Sequence, residues 1–77
     1  VPAPIEDKTR DEPPYGLSPR ELEVLRLVAE GRTDQQIAEM LYISRRTAEW
    51  HVRNVLGKLG VANRADAASR AAREGLV

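Results

Sequence analysis

Arg46, Trp50 and Arg53 come to one side of the chain if residues 44–59 form a helix, and no acidic residue stands among them. At about 100° per residue, Ala48, Val52, Val55, Leu56 and Leu59 line the opposite side. Two guanidiniums flanking an indole suit a polyanion. Arginine donates in a fork to phosphate or to the O6/N7 edge of guanine. An indole stacks on a guanidinium or lies against a thymine methyl or a sugar. The competing use of Trp50 is as an apolar anchor for a neighbouring helix or a partner protein. Catalysis has less support: the chain shows no nucleophile–base constellation, no glycine-rich phosphate loop and no paired catalytic carboxylates. Its 77 residues are also too few to enclose a deep pocket. One histidine and no cysteine offer no protein-only zinc site, and no cofactor is expected.

Net charge is zero, with twelve basic and twelve acidic residues, but the average hides an asymmetry. Residues 1–16 hold Lys8 and Arg10 against Glu6, Asp7, Asp11 and Glu12, a net of minus two. Within residues 44–58, Arg45, Arg46, Arg53 and Lys58 stand against Glu49 alone, a local plus three. The local field, more than the sum, governs attraction of a polyanion.

These side chains need a rigid frame. Residues 1–16 contain four of the five prolines and almost nothing to bury, a composition that does not offset the entropy of ordering it. They read as a flexible tail or linker ahead of a folded domain over 17–77. Folding is predicted to start at Leu17-Ser18-Pro19-Arg20-Glu21. Ser18 is an N-cap, Pro19 suits the first helical position, and Glu21 completes a capping box. Leu22, Val24, Leu25, Val28 and Ala29 form the apolar face of a helix over about 18–30, which Gly31 stops. Thr33 caps a short helix over about 33–41, with Gln36 at the capping-box position. Tyr42-Ile43 is the turn, and Ser44 caps the helix to Leu59 before Gly60. Asn63 caps a fourth helix, rich in alanine, which Gly75 ends. The fold class is all-α, four short helices with no strand pattern. No apolar run approaches a membrane span, and the cytoplasm is the expected location.

The helices at 33–41 and 44–59, joined by so short a turn, spell a helix-turn-helix. In such a pair the first helix crosses the nucleic-acid backbone and the second enters the major groove. The candidate base or phosphate contacts are then Arg45, Arg46, Thr47, Glu49, Trp50, Arg53 and Asn54. Thr33, Asp34 and Gln35, at the start of the first helix, and Lys58, at the end of the second, are candidates for the DNA backbone. Leu17 through Leu25 resembles the opening of the LuxR-type (NarL/FixJ-type) DNA-binding domain. So do Glu30-Gly31-Arg32-Thr33, Ile37-Ala38, Leu41, Ile43-Ser44, Thr47, His51-Val52, Lys58-Leu59-Gly60-Val61 and Arg64. The resemblance covers about residues 17–73 in the family's order and spacing. It implies a transcription regulator's effector domain with 44–59 as recognition helix. It also implies homodimers on inverted-repeat DNA, paired through the last helix (here Ala67, Ala68 and Ala71), and an upstream receiver, sensory or ATPase region.

Departures from that pattern are informative. Asp34 stands where the family usually has Asn, and Gln35 where Lys or Arg is frequent. Ala48 replaces the usual Val. Glu49 replaces a frequent Lys or Arg; it repels phosphate yet accepts from the N4 amino group of cytosine. Glu49 is therefore expected to select rather than to attract. The alternatives are region four of a sigma factor, which also opens with an Arg-Glu helix, and a helical protein-interaction module anchored on Trp50.

Overall fold

The computed structural model describes residues 14–77. The proline-rich tail lies outside the described residues up to position 13. Its last three residues, Pro14–Gly16, form one turn of 3-10 helix, so regular structure starts ahead of Leu17. Four helices follow: α1 Pro19–Ala29, α2 Asp34–Leu41, α3 Arg45–Leu59 and α4 Arg64–Arg73.

Local chemistry sets each start. The Ser18 hydroxyl accepts from the Glu21 N–H at 3.1 Å, and the Glu21 carboxylate accepts from the Ser18 N–H at 2.8 Å. Thr33 and Gln36 repeat that reciprocal pair at 3.1 and 3.0 Å. Ser44 accepts from the Thr47 N–H at 3.0 Å, and Asn63 from the Asp66 N–H at 2.9 Å. Each cap satisfies a donor that the first helical turn otherwise leaves unpaired.

All four helices also stop in the same way. A residue with positive φ follows the last turn, and the next N–H reaches back five residues: Arg32 to Leu27, Ile43 to Ala38, Val61 to Leu56 and Leu76 to Ala71, at 2.9–3.1 Å. This is the Schellman pattern. The left-handed residue is Gly31, Gly60 or Gly75 in three cases and Tyr42, at φ 59°, in the fourth. After α2, α3 and α4 the reaching residue is a half-buried aliphatic packed against the core, which turns a helix stop into a packing contact.

The core joins all four helices. α1 lies against α4 and α3, α2 packs on α3, and α3 also meets α4 and the leading 3-10 turn. Leu17, Val24, Leu25, Ile37 and Val55 are the largest fully buried side chains. Ala38 and Ala48 are buried with them, and these small side chains let α2 and α3 approach closely. Among the described residues no helix is long and apolar enough to cross a membrane, and no group of His, Cys, Asp and Glu could hold a metal ion.

Candidate nucleic-acid interface

Burial of Ala48, Val52, Val55 and Leu59 fixes how α3 is rolled on the core, and hence which side chains it turns outward. Those are Arg46, Trp50 and Arg53, all exposed. Among the described residues, neither Arg46 nor Arg53 has an ion-pair partner. Trp50 is 55% exposed. Its ring meets that of His51 edge-on, with centroids 5.2 Å apart at 62°, rather than stacking on either arginine. The His51 Nδ1 atom is buried and has no hydrogen-bond partner.

Beside that stripe, Arg45 and Glu49 form an i,i+4 ion pair at 3.1 Å, and both stay substantially exposed. An exposed pair of this kind contributes little to stability. It does hold the Glu49 carboxylate near the outward face with its charge partly balanced. Thr47 and Asn54 are half-buried, and the Thr47 hydroxyl oxygen accepts from the Ser44 hydroxyl at 2.9 Å. Seven candidate contacts thus lie on one helix, with two cations that are unpaired among the described residues around the indole.

The start of α2 is differently occupied. Asp34 is ion-paired with Arg64, whose guanidinium also donates to the Arg32 carbonyl at 2.7 Å, so the start of α2 is tied to the start of α4. The Gln35 amide donates to Glu39 at 3.1 Å. Thr33 spends its hydroxyl on the cap. What remains there for a phosphate is backbone N–H.

Two sets of candidate residues have partners inside the fold. Lys58 donates to Glu21 at 2.7 Å and to the Gly16 carbonyl at 3.1 Å, so its ammonium joins the end of α3 to the start of α1. Glu21 is only 8% exposed, and the Lys58 ammonium beside it holds its carboxyl below the usual carboxylate range, with the Ser18 N–H adding to the effect. Ala67 and Ala71, read as contacts for a second copy, are 0% exposed within the domain, where α4 packs on α1; Ala68 is half-buried. The outer ridge of α4 is instead Ala65, Ser69 and Ala72.

The model of a family described as bacterial regulatory proteins, luxR family, matches residues 15–71, from the 3-10 turn through most of α4. The chain belongs to the luxR family. It is a luxR-type helix-turn-helix domain, a DNA-binding domain of transcription regulation. It is 46% identical over 65 residues to the transcriptional regulatory protein LiaR of Bacillus subtilis, covering 84% of this chain and 31% of LiaR. It is 43% identical over 60 residues to the nitrate/nitrite response regulator protein homolog of Haemophilus influenzae, covering 78% of this chain and 29% of that protein. With the transcriptional activator protein SolR of Ralstonia solanacearum it shares 44% over 61 residues, 79% of this chain and 26% of SolR. The luxR domain described here therefore spans less than a third of the length of these relatives.

Sequence reasoning missed three features of this luxR domain. Arg64 and Asp34 are thirty residues apart, Lys58 and Glu21 thirty-seven, and no local pattern pairs them. The left-handed Tyr42 did have a signal, since it occupies the place where a glycine follows each of the other three helices.

Proposed function

We propose that this domain reads double-stranded DNA with α3 in the major groove. Arg46 and Arg53 supply the cationic donors and Trp50 the apolar contact, while Arg45, Thr47, Glu49 and Asn54 meet bases or phosphates on the flanks. The reading rests on one observation: two exposed arginines, without ion-pair partners among the described residues, flank an exposed tryptophan on the outward face of the second helix of a helix-turn-helix. At the start of α2 the backbone N–H groups of Asp34 and Gln35 serve a phosphate, beside Thr33, whose own N–H is taken by Gln36. Lys58 belongs to the fold first and to DNA at most as a neighbour.

The family's habit of pairing supports a homodimer on an inverted-repeat operator. Because Ala67 and Ala71 are internal, the ridge Ala65, Ser69 and Ala72 carries that pairing, with Ala68 at its edge. The relatives' greater length, and the words response regulator in one of their names, support a receiver or sensory domain upstream in the whole protein. The cytoplasm is the corresponding location.

Selection of bound duplexes from a random pool tests this directly. The expected result is a two-fold symmetric motif whose affinity falls steeply with salt. No enrichment over random duplex overturns the reading.

A further inference from the structure

Tyr42 is the anomaly of the fold. It ends α2 in the left-handed conformation, φ 59° and ψ 45°, and it is 94% exposed. Bulky L-residues rarely adopt that conformation because Cβ crowds the following carbonyl. Three helices of the same domain stop with the same hydrogen-bond pattern and place glycine at this position. The ring offsets none of the cost, since it buries almost nothing, and its hydroxyl has no hydrogen-bond partner among the described residues. Ile43 makes the apolar contact that closes the turn.

Tyr15 is also left-handed, at φ 57°, but its hydroxyl donates to Glu74 at 2.5 Å, across fifty-nine residues of chain. One strained tyrosine thus has a visible structural task, and the other has none among the described residues. Strain kept without structural return marks a residue held for an external contact.

Tyr42 lies two residues before Ser44, the cap of α3, so their Cα atoms are within about 7 Å of one another. We propose that Tyr42 is a DNA-backbone contact, its phenol hydroxyl donating to a phosphate oxygen beside the point where α3 enters the groove. This rests on the reading of α3 as the groove-reading helix. A phosphate rather than a base is the partner because Tyr42 stands on the turn, outside the Arg46–Trp50–Arg53 stripe. Tyrosine is moreover one of the neutral donors that DNA backbones accept.

Tyr42→Gly and Tyr42→Phe, compared with the unaltered chain, separate this role from a structural one. The measurements are thermal melts and binding titrations on the selected duplex and on random duplex, at several salt concentrations. Tyr42→Gly is expected to melt several degrees higher, because it removes the strain. It should bind both duplexes about threefold to tenfold more weakly. Tyr42→Phe should lose most of that factor with an unchanged melt. The salt slope should stay the same in both variants, since no cation is removed.

Unchanged affinity in Tyr42→Gly overturns the proposal and leaves the ring for a protein partner. A lower melting temperature in Tyr42→Gly overturns the strain argument. Weakening confined to the selected duplex overturns the phosphate assignment in favour of base reading. If the unaltered chain binds no duplex, the groove-reading role itself fails, and the same titration shows that separately.

Discussion

At position 53 a guanidinium stands in solvent with no internal ion pair among the described residues, so removing it disturbs little of the fold. Arg53→Ala should therefore leave the melting temperature nearly unchanged. It should cost about 1–3 kcal/mol of binding to the selected duplex if the contact is bidentate to a base. A comparable loss on random duplex, with the salt slope reduced by about one, would assign Arg53 to phosphate instead. Anisotropy titrations on both duplexes distinguish the two. Glu49 works in the opposite direction. Its carboxylate repels the phosphates, and Arg45, 3.1 Å away, balances it only in part. Glu49→Gln should bind random duplex more tightly while discriminating less at one position of the selected motif. Unchanged discrimination across all positions would remove the selective role of Glu49.

At the scale of elements, the join between α1 and α3 depends on one half-exposed cation and one buried acid, Lys58 and Glu21. Glu21 also closes the α1 capping box, but glutamine can accept the same N–H, as Gln36 does in α2, so Glu21→Gln acts chiefly on the join to Lys58. A loss of about 1–3 kcal/mol of stability at neutral pH is expected. The sign of the pH effect follows from the lowered carboxyl. Its stabilisation is fully present above the ordinary carboxylate value of 4.5 and is lost as pH falls through the lower folded value. Urea melts between pH 7 and pH 3 should show that slope in the unaltered chain and a shallower one in Glu21→Gln. Lys58→Gln decides between the two roles of that lysine. Reduced stability with unchanged affinity per folded molecule and an unchanged salt slope is the result expected of a fold contact.

The whole molecule stands on a small aliphatic core in which α1 and α4 share one interface and α2 and α3 another. Leu25 is fully buried at the centre, and Leu25→Ala should cost about 2–5 kcal/mol. That is a large fraction of the 5–15 kcal/mol typical of whole domains. Ala71 tests the inward placement of the α4 alanines. Having no exposed surface, it leaves no room for added volume, and Ala71→Leu should destabilise the monomer by about 1–3 kcal/mol. A melt unchanged by Ala71→Leu would return that residue to a surface role. Arg64, Asp34 and the Arg32 carbonyl hold α2 and α4 together at their starts, so the helix-turn-helix is braced by a helix outside it.

The helix bounds, the caps and the two faces of α3 were legible in the sequence because they depend on neighbours three or four residues away. Ser18 with Glu21, Thr33 with Gln36, and the spacing of Ala48, Val52, Val55 and Leu59 are local facts. The family was legible too, since its residues occur in order along the chain. What the sequence left open were matters of long-range position. An alanine-rich helix can present small side chains to its own core or to a second copy, and only the packing of α1 on α4 sends Ala67 and Ala71 inward. A lysine at a helix end is a free cation until the fold brings a buried carboxylate to it, as Glu21 is brought to Lys58. The sequence by itself determined which face of α3 is polar and which apolar. The tertiary structure decided which charges on and around it are already spent, because ion pairs form between residues the fold makes neighbours.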